Sequence, residues 1–207
     1  MKLHLKPDVA PLNLISFYTG VFVTILQASL ISIFTIFLLE DQYGIADSEA
    51  AAVLGNLGTV ADVVAFSTEL FIGYAIDLFG RKMLSIAGVI LAGTGTFCSP
   101  LPARLGGLYF FRVMITIGIL PLHLSPYIID YVKRESIGRA LAYLSVGATI
   151  SSIFTSSVAI QLQKSMGAAP VYYIVGSCAY IVAFVLCYGL KDVHEKAKDK
   201  MVVLERE

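Results

Sequence analysis

The stretch Gly73-Tyr74-Ala75-Ile76-Asp77-Leu78-Phe79-Gly80-Arg81-Lys82 places a carboxylate, a glycine and two basic residues where one long apolar run ends and another begins. Upstream, Ala50 to Ile76 carries only two charged residues, Asp62 and Glu69; downstream, none occurs between Lys82 and Arg104. Charged side chains stay in water while apolar runs leave it, so a glycine followed by adjacent basic residues reads as a tight turn at a membrane surface.

Outward from this turn the pattern repeats. Charge-free gaps separate Asp8 from Glu40, Arg112 from Asp130, Arg139 from Lys164, and Lys164 from Lys191. A helix needs ~20 apolar residues to cross a bilayer. The gaps therefore predict spans at about 13–39, 48–76, 83–101, 105–131, 139–162 and 169–190, followed by a charged surface tail at 191–207. Composition agrees: 57% of the 207 residues are hydrophobic and 14% charged, against roughly 25% charged in soluble domains. The expectation is an all-α integral membrane protein, a six-transmembrane-helix bundle over 1–190, with the lipid bilayer as its surroundings and no room for a separate soluble domain. The first stretch reads as a span, being longer than the ~7–15-residue apolar core of a secretory signal.

Fifteen basic residues balance fifteen acidic ones, so the overall charge gives no reason to expect nucleic acid. Position carries the information instead. Lys2, Lys6, Arg81, Lys82, Lys133, Arg134, Arg139, Lys191, Lys196, Lys198, Lys200 and Arg206 fall on one side, and only Arg104 and Lys164 on the other. This asymmetry places both termini on the cytoplasmic side, or the matrix side of a mitochondrial inner membrane. In the opposite loop, Asp47 or Ser48 is expected to cap the second helix. With Trp absent, Tyr43, Tyr74, Tyr109, Tyr127, Tyr131, Tyr172 and Tyr188 are expected to supply an interfacial belt. Cys98, Cys178 and Cys187 show neither a disulfide nor a metal-ligand pattern. No Walker-type loop, His-Glu-x-x-His or Gly-x-Ser-x-Gly occurs, so neither an enzyme nor a cofactor is expected, and Gly93-Thr94-Gly95 reads as a packing notch.

The opening stretch resembles the loop signature of the major facilitator superfamily: Gly, aromatic, two residues, Asp, Arg, one residue, Gly, Arg, then Arg or Lys. Gly73, Asp77, Gly80, Arg81 and Lys82 match, whereas Leu78 stands where the family usually has Arg. Arg112 opens an Arg-x-x-x-Gly-x-Gly-like stretch, with Thr116 replacing the first glycine and Gly118 matching the second. Pro126, Tyr127 and Asp130 before a basic loop, then Arg139-Ala140, continue the resemblance. It implies the amino-terminal six-helix half of a transporter, with Asp77 facing the family's other half and closing one access state. Physically, Arg81 emerges where it can reach Asp130 at the end of the fourth span, which would make the turn a charge-linked latch. The plainer reading is an interfacial cluster of snorkelling side chains.

Charges inside spans are expensive and usually face protein or water. Asp62 and Glu69 are seven positions apart, which puts them on one face of the second helix about 10 Å apart, with Gly55, Phe66, Gly73 and Ile76 on or near that face. They read as a proton or cation path, or as acids hydrogen-bonded to a neighbouring helix or to a partner chain. Arg112 and His123, eleven apart, return to nearly one face of the fourth helix. Arg112 is a candidate for an anionic solute or for pairing with Asp62 or Glu69, and His123 for a titrating or simply buried imidazole. Pro121 and Pro126 remove helix donors and predict a kink. Ser145, Thr149, Ser152 and Ser156 form a small-hydroxyl stripe that reads as close helix packing, with a polar cavity wall as the alternative, and Gln27 is ambiguous in the same way.

Two functions stay open: a half-bundle that pairs with itself or another membrane chain to carry a small solute, and a non-transporting accessory subunit of a larger membrane complex such as a respiratory assembly. Either requires at least one other membrane protein chain. The topology is testable alone. In a cysteine-free background, single cysteines at Gly44, Arg104 and Lys164 are expected to label from the side opposite those at Arg81 and Lys191; labelling of both sets from one side would refute six spans.

Overall fold

A computed structural model of the chain describes residues 3–124 and 126–192. The tail beyond Asp192, with Lys196, Lys198, Lys200 and Arg206, and Lys2 at the other end lie outside the described residues. The described chain is helical almost throughout: α1 (Pro11–Tyr43), α2 (Asp47–Phe79), α3 (Arg81–Cys98), α4 (Leu105–Leu124), α5 (Tyr127–Tyr131), α6 (Ile137–Phe154), α7 (Ile160–Met166) and α8 (Ala168–Gly189). Five segments are long and apolar enough to cross a membrane: Pro11–Tyr43, Ser48–Phe79, Leu105–Tyr131, Arg134–Ser157 and Ala168–Gly189. The 18-residue α3 has Arg81 and Lys82 in its first turn, which lowers its apolar content.

The helix limits follow from local chemistry. Pro11 opens α1, where its missing N–H is no loss, and the Asn13 carboxamide accepts the Ala10 N–H at 2.7 Å. Gly44, at φ +63°, closes α1 in the left-handed conformation, its N–H bonded to the Glu40 carbonyl and that of Ile45 to Leu39. The second helix starts earlier than expected: Ala46 is the cap, its carbonyl taking the Glu49 and Ala50 N–H groups, so Ser48 is already inside α2. Proline acts where the sequence placed it, but as a break more than a kink. α4 runs through Pro121 to Leu124, and Pro126 caps the short α5. The fifth predicted span carries an unforeseen feature, a π turn at Thr155–Ala159 between α6 and α7.

Glycine sets the packing. α3 lies against both α4 and α8. A Cβ on Gly118 would stand 2.5 Å from the Gly88 carbonyl oxygen, and one on Gly176 would stand 2.7 Å from the Phe97 nitrogen, so these helices meet backbone to backbone. The Gly93-Thr94-Gly95 notch serves both neighbours, with Gly93 against Ala179 of α8 and Gly95 against Ile115 of α4. Gly189 gives way to Ser16 where α8 crosses α1.

Around these contacts the buried apolar residues form two clusters. One gathers Phe17, Val21, Leu122, Tyr127, Tyr131 and Leu186 near the end that carries Val9 and Leu190; the other gathers Leu30, Phe34, Leu57, Leu108, Ile115 and Tyr172. The tyrosine belt is thereby corrected. Tyr74 and Tyr188 point outward, but Tyr127, Tyr131 and Tyr172 are core residues whose hydroxyls find partners inside the protein: Ser85, Lys191 and Thr35 respectively.

Packing of this kind forecasts unequal costs. Gly118→Ala is expected to lower stability by about 1–3 kcal/mol, because the backbone it meets cannot move aside. Gly55→Ala, with open space around it, is expected to be neutral or slightly stabilising. The temperature at which detergent-solubilised protein loses its gel-filtration peak measures both; equal shifts would contradict the α3–α4 contact.

Candidate functional site

The turn from α2 to α3 depends on Gly80, whose φ of +83° disfavours any side chain. It aims Arg81 at α5, where the guanidinium pairs with the Asp130 carboxylate, both side chains mostly buried. Asp130 is in place because the Pro126 break restarts the helix as α5, held by the buried Tyr127 and Tyr131. Lys82 is half-buried beside Arg81. Asp77 lies exposed one turn before Gly80 and makes no hydrogen bond or ion pair among the described residues. Gly73 is likewise exposed, with open space around it.

Asp62 and Glu69 are both exposed on α2, and neither forms an ion pair or hydrogen bond among the described residues. Phe66 and Gly73 share their outward side, whereas Ile76 turns into the core. Among the described residues, the hydrogen-bonded contact with a neighbouring helix therefore does not form.

On α4, His123 and Arg112 both meet α1. The His123 Nε2 lies 2.8 Å from the Thr24 hydroxyl. Arg112 shares with Thr35 the lining of a cavity of about 10 Å³, which Ile31, Leu57, Ser99, Leu108, Ile115 and Tyr172 also line. Thr24 and Thr35 are themselves eleven residues apart, so one line along α1 answers the Arg112–His123 spacing on α4. The Arg112 Nε is buried without a hydrogen-bond partner among the described residues, and the cavity has room for about one water. Asp62 is near enough to act on Arg112 electrostatically but does not form an ion pair with it.

The hydroxyl stripe is corrected as well. Ser145, Thr149 and Ser156 are exposed and donate to carbonyls of their own helix four residues back. Only Ser152 meets a neighbour, with its hydroxyl 3.2 Å from that of Ser29 on α1. A further contact with α1 comes from Ser151, one position off the stripe, whose hydroxyl donates to the Phe22 carbonyl at 2.9 Å. Gln27 is fully buried, its amide donating to Thr96 on α3.

Sequence reasoning missed two residues at the turn. Asp192 sends its carboxylate to the Arg81 backbone N–H at 3.1 Å, and Lys191 is bonded twice to the Tyr131 hydroxyl. Both stood at the start of an expected surface tail, where the sequence offered Asp192 a pairing with Lys196 four residues on, which lies outside the described residues, and nothing pointed to the turn. The Arg81–Asp130 contact is directly measurable: Arg81→Ala and Asp130→Ala are each expected to destabilise the fold, with a coupling of about 0.5–3 kcal/mol in the double-mutant cycle. Additive losses would show that the two do not interact.

Over 194 residues, 92% of its length, the chain is 25% identical to the multi-drug resistance efflux pump PmrA from two strains of Streptococcus pneumoniae, of which it covers 48%. Over 141 residues, 63% of its length, it is 26% identical to the magnetosome protein MamZ of Magnetospirillum gryphiswaldense, of which it covers 22%. The chain thus spans about half the length of one relative and about a fifth of the other. Residues 17–204 match the Major Facilitator Superfamily profile, nearly the whole sequence, and the chain belongs to that family.

Proposed function

We propose that this chain supplies one six-helix half of a secondary-transport path, with both termini on the cytoplasmic side. Its α2–α6 side packs against a second six-helix membrane unit, either another copy or another membrane segment, and a small solute crosses between them. All six predicted spans cross the bilayer, α3 among them. The Gly80–Arg81–Asp130 turn acts as a latch on one access state, while Asp62, Glu69, Arg112 and His123 are the groups placed for a solute or proton.

The exposure of three carboxylates on α2 carries the reading. Asp62, Glu69 and Asp77 lie on a helix that also turns Phe66, Leu70, Phe71 and Tyr74 outward. An apolar surface of this size suits lipid or protein, but an ionised acid in hydrocarbon costs ~2.5–3.5 kcal/mol or more. Protein cover with a wet seam satisfies both halves of that face, and rocking of one half against the other around a central site is how such bundles move solutes. The alignment with about half of a protein named as an efflux pump supports the same division.

In vesicles holding the native assembly, Asp62→Asn with Glu69→Gln is expected to abolish or uncouple a pH-driven solute flux while the assembly stays intact. Flux is to be screened over sugars, organic anions and amino acids. An unchanged flux profile, together with loss of a larger complex when the chain is deleted, would overturn transport in favour of an accessory subunit.

A further inference from the structure

At the latch end of the bundle, five pieces of chain meet. The segment before α1 runs antiparallel to the chain after α5: Leu5 bridges Val132, the Lys6 N–H donates to the Tyr131 carbonyl at 3.0 Å, and the Lys133 N–H donates to the His4 carbonyl at 2.9 Å. The end of α8 is held as firmly. The Asn13 amide donates to the Gly189 carbonyl at 2.7 Å, and the buried Tyr131 hydroxyl donates to the Lys191 carbonyl at 2.7 Å while accepting the Lys191 N–H at 2.9 Å. The Lys191 ammonium donates to the Asp8 carbonyl. Lys191 is thus fixed through its backbone and its side chain, and this fixes the direction in which Asp192 leaves.

Asp192 points at the start of α3. Its carboxylate accepts the Arg81 N–H at 3.1 Å, and a Cβ on Gly80 would sit 3.2 Å from the same oxygen. That N–H is the first of an 18-residue helix and has no carbonyl of its own helix to bond, while the helix dipole favours a negative charge there. The side chain and the backbone N–H of Arg81 are therefore held by carboxylates from two different segments of the chain. Asp130 holds the guanidinium from α5, and Asp192 holds the backbone from the end of α8.

We infer that Asp192 is a second anchor of the Gly80–Arg81 turn, a positioning residue that couples the end of the last span to the latch through Lys191 and Tyr131. The inference deepens the latch reading and rests on it. Movement of the chain leaving α8 pulls on the backbone of the turn, whereas loss of Asp130 frees only the Arg81 side chain. The latch then responds to two inputs, one through the guanidinium and one through the amide.

Residue-resolved amide hydrogen exchange on the full chain in lipid nanodiscs tests this. Asp192→Ala is expected to speed exchange of the Arg81 amide by about tenfold or more, the loss of a hydrogen bond to a charged acceptor, with Leu186–Gly189 unchanged. Asp130→Asn is expected to leave the Arg81 amide protected, so failure of the latch pair and failure of the anchor are read separately. Tyr131→Phe keeps the ring but loses the bonds to Lys191, and a smaller rise at Arg81 is expected from it. Asp192→Asn, of the same shape with a weaker acceptor, is expected to give an intermediate rise and serves if Asp192→Ala does not fold. Wild-type exchange at Arg81 in both Asp192 variants, or an equal rise spread along α8, overturns the anchor. An unchanged Arg81 amide in Tyr131→Phe overturns the coupling.

Discussion

The contact on which the Gly80–Arg81 end of the bundle depends is the meeting of Gly88 and Gly118, where the α3 and α4 backbones touch with no side chain between them. In a bilayer no hydrophobic force draws helices together, so close approach has to come from small residues and the dispersion it allows. With α4 held on one side of α3 and α8 on the other through Gly93 and Gly176, the basic turn at Gly80–Arg81 is flanked by the chain that continues from both neighbours. Asp130 and Asp192 reach it for that reason.

The same packing leaves the bundle lopsided. α3 and α8 bury much of their surface, whereas α2 and α6 keep most of theirs open, and it is on α2 that the acids lie. Buried charges are normally paired, and Arg81 is, with Asp130. Asp62 and Glu69 are not paired in this way, and Arg112 sits between the two situations, its Nε enclosed beside Tyr172 and Thr35 with Asp62 within electrostatic range. A helix that is charged on its open face and apolar around the charges is suited to a second protein surface with water in the seam. This is the physical basis for proposing another six-helix unit on that side.

The hydroxyl stripe on α6 shows how a sequence pattern can mislead within this logic. Ser145, Thr149 and Ser156 have the spacing of a packing face, but a hydroxyl satisfies itself on the carbonyl four residues back and so tolerates either environment. Spacing alone fixes which residues share a face, not what that face touches. The residue that does touch α1 through a backbone carbonyl, Ser151, lies one position off the stripe.

Much of the fold was legible in the sequence because the bilayer demands long uninterrupted apolar helices, and charge-free runs show where those lie. The Gly80 turn and the disruption at Pro126 were expected from local backbone preference, whereas the α1 limits at Pro11 and Gly44 lie outside the expected 13–39. The Gly80–Arg81 turn and the reach of Arg81 toward Asp130 were legible too, since a charge at a span end has few places to go. Tertiary structure alone decided the rest. Tyr127, Tyr131 and Tyr172 went inward because helix rotation, which local pattern does not specify, turned them to the core. Thr24 met His123 and Asp192 met the Arg81 amide across 99 and 111 residues of chain. Neither contact has a local signal: a backbone N–H looks alike in every sequence, and only the packing of α3 between α4 and α8 brings a carboxylate to this one.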